Sequence, residues 1–186
     1  MNIAKILTSS KTIFTLKDLE LILGLDNQAV RNYLYQQKGN KVLKNIYSGI
    51  WGIEGKEYNK LELACKLRLK SYVSFETALQ KHGVIFQDYS SIVTIASDNT
   101  ISKNIDDIDY QYKKVKDSIL LDPIGIDHYG TYTIASKERA ICDIIYLKSG
   151  FSFDNLKSVD FEKLEEISKI YNKRTILEIK QLKNYA

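Results

Sequence analysis

Residues 25–53 carry the side chains with the clearest chemistry in the chain. The segment LDNQAVRNYLYQQKGNKVLKNIYSGIWGI contains no acidic residue after Asp26, and its cations are interleaved with Asn, Gln and Tyr. The cations are Arg31, Lys38, Lys41 and Lys44. Arginine pairs with guanine and Asn or Gln with adenine, each through two hydrogen bonds, while lysine neutralises phosphates. A solvated basic loop is the simpler interpretation, so the elements that position these residues must decide between the two.

Two helices are predicted on either side of Gly24. Thr15 is a suitable N-cap for the apolar stripe of LKDLELILG, and Gly24 stands where a C-cap glycine belongs. Asp26 is a suitable N-cap for NQAVRNYLYQQKG, which Gly39 is expected to end. Two short helices joined by Gly-Leu-Asp are typical of a helix-turn-helix.

The second of these helices has an apolar and a polar face. Ala29, Val30, Tyr33 and Leu34 recur at helical spacing and are predicted to pack inward. The opposite face holds the residues that we expect to read base edges in the major groove. These are Asn27, Gln28, Arg31, Asn32 and Tyr35.

A basic hairpin is predicted directly after this helix. Side chains alternate in VLKNIY, Ser48-Gly49 supplies a tight turn, and IWGI continues as a second strand. A helix-turn-helix followed by such a hairpin is a winged arrangement, whose wing and helix end would lie along the DNA backbone. The residues predicted to contact the backbone are Lys38, Lys41, Lys44 and Tyr47.

The predicted domains are a winged helix-turn-helix over residues 1–57 and an α+β domain over residues 58–186. The second should contain a mainly antiparallel sheet with flanking helices. Strands are predicted in SSIVTIAS, YQYKKV, SILLD and GTYTIAS, and helices in KEYNKLELACKLRLK, SYVSFETALQKHGVI and KERAICDIIYLKSG. Ser74 is expected to cap the second of these helices, and Asp160 a helix nearer the C-terminus. The acidic run NIDDIDYQYKK is most simply interpreted as a solvated loop, and the alternative is a patch that faces a partner.

Charge and composition restrict the function. Residues 1–70 hold 12 Lys and Arg against 6 Asp and Glu, a net charge of +6, whereas residues 71–186 hold 15 against 17, a net charge of −2. A basic first third suggests a nucleic-acid-binding module. The chain has neither an apolar run of membrane-spanning length nor a secretory signal, so we expect a cytoplasmic protein without a membrane partner.

Little in the sequence supports catalysis, a metal or a cofactor. The chain has two cysteines, Cys65 and Cys142, and two histidines, His82 and His128. The cysteines lie in apolar helical patterns and are interpreted as small buried hydrophobes. Glu178 and Lys180 in LEIK would suit a nuclease on a strand, but their context favours a helix, where positions i and i+2 diverge. We therefore expect a protein that is not an enzyme and holds no metal or cofactor.

Three stretches together resemble the AbiE-type abortive-infection antitoxins, which belong to type IV toxin-antitoxin systems and are also grouped as viral-defence transcriptional regulators. AVRNYLYQQKGNKVLKNIYSGIW resembles the winged segment of that family, SYVSFETALQKHGVI its "sYisleSAL-x-x-HGli" pattern, and IASKERAICDIIYL its "iAspEKAllDllyl" pattern. The second and third stretches are the more specific. Lys137 replaces a frequent proline, and Trp51 a frequent tyrosine of the wing.

The resemblance implies a repressor that binds inverted repeats upstream of its own operon. It also implies a C-terminal domain that counters a neighbouring nucleotidyltransferase-type toxin without forming a stable complex with it. Four residues that match the family patterns are candidates for the antitoxin surface: Ser74, His82, Glu138 and Asp143. Each also has a structural interpretation: Ser74 as a helix cap, His82 as a helix-end residue, and Glu138 and Asp143 as ordinary helix electrostatics or a fold-defining contact.

Two alternatives stay open. The chain could be a winged-helix regulator whose C-terminal domain senses a ligand or a protein, with no toxin partner. It could also be an interaction protein whose N-terminal domain binds protein, in which case DNA binding would be absent or insensitive to salt.

Overall fold

The computed structural model of the chain describes residues 3–183. The ends of both predicted domains, residues 1–2 and 184–186, therefore lie outside the described residues. The chain divides into two units, one that ends at Leu63 and one that begins at Ala64.

The N-terminal unit consists of short helices and a small sheet. Its elements are α1 (Ala4–Leu7), β1 (Ile13–Thr15), α2 (Leu16–Leu23), α3 (Asn27–Gly39), β2 (Leu43–Tyr47) and β3 (Ile50–Ile53). Helix α4 (Lys60–Leu67) follows and contains the division between the units. It begins later than predicted, because Asn59 caps it by accepting hydrogen bonds from the backbone N–H groups of Leu61 and Glu62. It also ends earlier than predicted, at Leu67.

The predicted ends of α2 and the start of α3 are confirmed. Thr15 and Asp18 form a capping box at the start of α2, and Gly24 adopts the left-handed conformation after it, with φ of 68°. The Asp26 carboxylate accepts a hydrogen bond from the backbone N–H of Ala29 at 2.8 Å. The turn between the two helices is thus determined by residues that are close to it in the sequence.

The left-handed position at the end of α3 belongs to Lys41, not to a glycine. The helix ends at Gly39 as predicted, but Lys41 two residues later has φ of 54°. The backbone N–H of Lys41 donates to Lys38 O, and that of Val42 to Gln37 O, which is a Schellman ending. A lysine therefore occupies a backbone conformation that favours glycine.

Strand β1, near the start of the N-terminal unit, pairs with β3 of the hairpin. The sheet order is β1-β3-β2, and both pairings are antiparallel. β2 and β3 are joined at Ser48-Gly49 as predicted, whereas β1 was not predicted. The core beneath the sheet is formed by Ile6, Phe14, Leu19, Val30, Tyr33, Leu34 and Leu43.

The C-terminal unit belongs to the α+β class, as predicted. Its strands are β4 (Ser71–Val73), β5 (Ile92–Ser97), β6 (Ile101–Ile105), β7 (Ile108–Lys114), β8 (Ile126–His128) and β9 (Thr133–Ala135). Its helices are α5 (Phe75–Lys81), α6 (Asp117–Leu120), α7 (Lys137–Leu147), α8 (Phe161–Ser168) and α9 (Lys173–Lys183). None of the helices within residues 3–183 has the length and apolar character that crossing a membrane requires.

The sheet of the C-terminal unit is mixed. Its strand order is β6-β7-β5-β4-β9-β8. Pairs β4–β5, β6–β7 and β8–β9 are antiparallel, but β5–β7 and β4–β9 are parallel. Because β7 lies between β5 and β6, the consecutive strands β5 and β6 are not neighbours. The alternation of apolar and polar side chains within a strand does not predict this strand order.

The secondary structure predicted for two stretches of this unit is wrong. The stretch SILLD forms α6 instead of a strand, and its Ile119 and Leu120 are buried on one side of a single helical turn. The acidic run is not a loop along its length: Asp106 and Asp107 form the tight turn of the β6–β7 hairpin, with φ of 49° and 60°. Within the acidic run, Asp106 and Asp107 are the two consecutive exposed residues, because they lie between the buried Ile105 and the half-buried Ile108.

Candidate nucleic-acid interface

The outer face of α3 is exposed as predicted. Val30, Tyr33 and Leu34 are buried against the core of the N-terminal unit. The five residues predicted to read base edges are all exposed, and the Tyr35 side chain reaches 83% exposure. They are Asn27, Gln28, Arg31, Asn32 and Tyr35.

Hydrogen bonds already order part of this face. Arg31 Nε donates to Asn27 Oδ1 at 2.8 Å, and Asn27 Nδ2 donates to Glu20 Oε1 on α2 at 2.6 Å. Gln28 Nε2 donates to Asn32 Oδ1 at 3.2 Å. Four polar side chains of α3 are thus paired along the helix, and one pair is anchored to the preceding helix.

A groove of about 350 Å³ lies between α3 and the hairpin. One wall carries Arg31, Tyr35 and Lys38, and the other carries Asn45 and Trp51. The groove therefore combines two cations, two aromatic rings and an amide, and its cations and amide can bind a sugar-phosphate backbone.

The remaining backbone-contact candidates lie outside this groove. Lys41 is exposed at the end of α3, while Lys44 and Tyr47 on β2 are half-buried. The structure thus brings Lys38 together with Arg31 and Tyr35, and places Lys41, Lys44 and Tyr47 on the adjoining helix end and hairpin.

Three of the four candidates for an antitoxin surface are buried. Ser74 and Asp143 have 0% exposure and Glu138 has 2%. His82 is half-buried, and its Nε2 lies 2.9 Å from Ala135 O on β9. These four residues consequently do not form a surface of the C-terminal unit, because the matching positions lie where β4, β9, α5 and α7 pack together.

Asp143 is the centre of a buried hydrogen-bond network. Its carboxylate accepts hydrogen bonds from the hydroxyls of Ser74 at 2.7 Å, Tyr171 at 2.7 Å and Tyr72 at 3.0 Å. Arg139 Nε lies 3.6 Å from Asp143 Oδ1, and both side chains have 0% exposure. The predicted N-cap role of the Ser74 side chain is wrong, since its hydroxyl donates to Asp143 and makes no capping bond.

Burial and charge act against one another in this network. Burial raises the pKa of the Asp143 carboxyl, and this effect exceeds the opposing effects of Arg139 and the three hydroxyl donors. The pKa of the Tyr72 and Tyr171 hydroxyls is raised well above the ordinary tyrosine value. Burial is the largest cause, and the Asp143 carboxylate is the second. Both tyrosines therefore remain protonated and can donate.

Glu138 belongs to a second buried contact. Its Oε2 accepts a hydrogen bond from the Ser136 hydroxyl at 3.1 Å, and its Oε1 accepts one from the backbone N–H of Asp160 at 3.3 Å. Asp160 caps α8 as predicted, by accepting from the N–H groups of Glu162 and Lys163. Glu138 thus connects the start of α7 to the start of α8.

Other chemically suggestive residues have structural partners. Glu178 and Lys180 lie on α9, the helix that their context predicted, and Glu178 accepts hydrogen bonds from Ser149 Oγ and Gly150 N. Cys142 is buried and Cys65 half-buried. Within residues 3–183, no group of three or more His, Cys, Asp and Glu side chains is arranged to hold a metal ion.

Sequence reasoning missed Glu20, Asn45, Tyr72 and Tyr171. Glu20 lies on α2 and Asn45 on β2, and neither belongs to a sequence motif that predicts a position beside α3. Tyr72 and Tyr171 lie 71 and 28 positions from Asp143, distances that no local pattern connects.

Comparison with known proteins identifies the fold alone. No protein-family model matches the chain, and no curated protein matches it. A crystal structure of the Rv2827c protein from Mycobacterium tuberculosis resembles this chain with a TM-score of 0.55 and 12% sequence identity. The similarity covers 98% of this chain and 76% of that one.

Proposed function

We propose that the N-terminal unit is a winged helix-turn-helix that binds double-stranded DNA. The observation that carries this proposal is the exposed, acid-free face of α3, which opens with Arg31, Tyr35 and Lys38 onto the groove beside the β2–β3 hairpin. Helix α3 would enter the major groove, and the hairpin would lie along the backbone as the wing. Lys38, Lys41 and Lys44 would neutralise phosphates, which makes binding weaker as salt rises.

We further propose that the chain is an AbiE-type antitoxin that represses its own operon at inverted repeats. It would counter a nucleotidyltransferase-type toxin through the C-terminal unit without a stable complex, and act in the cytoplasm. The resemblance of the three stretches supports this. The two more specific stretches also pack against one another, since Val73 pairs with Ile134 and Ser74 binds Asp143. Their matching residues would then define the shape of the unit.

A gel-shift titration of the full chain on its own upstream region tests the DNA half of this proposal. The control is scrambled DNA of equal length and composition, and both are measured at two salt concentrations. Tight, selective and salt-sensitive binding supports a repressor. Equal binding to both DNAs, or binding that does not change with salt, would contradict it.

Co-expression tests the antitoxin half. A nucleotidyltransferase gene next to this one should arrest growth when expressed alone, and this chain should restore growth. Failure to restore growth, at a protein level shown by immunoblot, would contradict an antitoxin role.

One observation favours the alternative of a ligand-sensing regulator. A polar cavity of about 310 Å³ in the C-terminal unit is lined by Glu76, Tyr89, Lys148 and Asp154, among others. A small polar ligand there would shift operator affinity, and the protein would need no toxin gene. A Glu76→Ala variant that alters repression in cells, but not binding of the purified protein to the operator, would favour this alternative.

A further inference from the structure

Three side chains form a hydrogen-bonded line across the turn between α2 and α3. Glu20 on α2 accepts from Asn27 at 2.6 Å, and Asn27 accepts from Arg31 at 2.8 Å. Asn27 is the first residue of α3, and Arg31 lies one turn later. Because Glu20 accepts from the nitrogen of the Asn27 amide, the amide oxygen is directed toward Arg31.

This line restrains Arg31 at its Nε atom. Neither Nη1 nor Nη2 of Arg31 has a hydrogen-bond partner within residues 3–183. These two groups match the O6 and N7 acceptors of guanine, which arginine recognises with a bidentate pair of hydrogen bonds. A guanidinium whose plane is already held loses less rotamer freedom when it binds.

The same bonds occupy Asn27. Its amide oxygen and nitrogen are both engaged within the protein, whereas bidentate recognition of adenine would require both of them. Asn27 was predicted to read a base, but the geometry suits it better to holding Arg31.

We propose that Glu20 and Asn27 are positioning residues that direct Arg31 toward one guanine of the bound DNA. This inference rests on the proposed DNA-binding function. Glu20 has two opposite effects: its carboxylate repels phosphates and weakens binding to all DNA, while its hydrogen bond to Asn27 sharpens selection of that guanine. Losing Glu20 therefore raises affinity for random DNA and lowers discrimination at a single base pair.

The test begins with site selection. The full chain selects its preferred site from a library of random double-stranded DNA, and affinities are then measured for that site and for every single-base-pair substitution of it. Arg31→Ala identifies the base pair that Arg31 reads, since discrimination is lost there. Glu20→Ala and Asn27→Ala should then lower discrimination at that same base pair about threefold to tenfold.

Two further variants separate positioning from folding and from charge. Glu20→Gln keeps an acceptor oxygen for Asn27 and should retain most of the discrimination while binding random DNA more tightly. Glu57→Ala removes an exposed carboxylate elsewhere in the unit and should leave discrimination unchanged. Asp26, not Asn27, caps α3, so Asn27→Ala should leave the thermal midpoint near that of the unsubstituted chain.

Wild-type discrimination in Glu20→Ala and Asn27→Ala, or an equal loss at every base pair, would overturn the inference while the selected site still supports DNA binding. If the unsubstituted chain selects no site at all, the proposed function itself fails, and the positioning role fails with it.

Discussion

Ser74 donates its hydroxyl hydrogen to the carboxylate of Asp143 at 2.7 Å, across 69 positions of sequence and with both side chains fully buried. This bond joins the turn after β4 to the middle of α7. It lies between the two stretches of the C-terminal unit that most resemble the antitoxin family. The matching residues are therefore neighbours in the core.

Ser74→Ala should lower the free energy of unfolding by about 1–3 kcal/mol, because a buried acceptor of Asp143 loses its donor. Urea denaturation followed by circular dichroism measures this. Ser102→Ala on the exposed part of β6 is the matched control and should change little. Equal effects of the two substitutions would contradict the importance of the bond.

Asp143→Ala should lower the free energy of unfolding further, by about 3–5 kcal/mol in total, because it leaves Arg139 charged and buried without its carboxylate partner. Glu165→Ala, which breaks the exposed ion pair with Lys183, should cost under about 1 kcal/mol. The double substitution Arg139→Met with Asp143→Leu should be less destabilising than Asp143→Ala, since no unpaired charge remains. A double variant that is as unstable as Asp143→Ala would show that the lost hydrogen bonds of the network, including those of Ser74, Tyr72 and Tyr171, matter more than the unpaired charge.

Lys41→Gly should stabilise the N-terminal unit by about 1 kcal/mol, because glycine adopts positive φ without the steric penalty of a side chain. Thermal unfolding of this variant beside Lys41→Ala makes the comparison, since alanine removes the charge but keeps the strain. If the proposed phosphate contact is correct, both substitutions weaken DNA binding alike. Lysine would then be retained for DNA binding at a position where glycine would make the protein more stable.

Arg31→Ala should weaken binding to the selected DNA site by about 1–3 kcal/mol and leave binding to random DNA nearly unchanged. The reason is that a bidentate contact to a base edge carries sequence information, whereas a phosphate contact does not. Fluorescence anisotropy on both DNAs measures the difference. Equal losses on the two would instead assign Arg31 to the backbone.

Lys44→Ala should weaken binding to both DNAs by a similar factor. The plot of log affinity against log salt should also become shallower by about one unit, because one fewer counterion is released. Titrations at four salt concentrations measure the slope. A slope that stays the same would refute the phosphate contact, and the half-buried position of Lys44 would then be explained by packing on β2.

Local physics made several features predictable. The caps at Thr15, Asp26 and Asp160 depend on hydrogen bonds to residues two or three positions away, and all three form as predicted. The polar and apolar faces of α3 follow from its period in the same way. Lys41 marks the limit, because the favoured glycine is absent from the left-handed position that ends this helix.

The sequence by itself determined the α+β class, the helix and hairpin boundaries around the basic segment, and which side chains of α3 point away from the core. Only the tertiary structure decided that Ser74 and Asp143 are buried partners, that the sheet is mixed, and that Glu20 holds Asn27 against Arg31. The physical reason is range: caps and helical faces are decided within about one turn of chain, whereas strand order and buried polar networks depend on elements that the sequence leaves far apart.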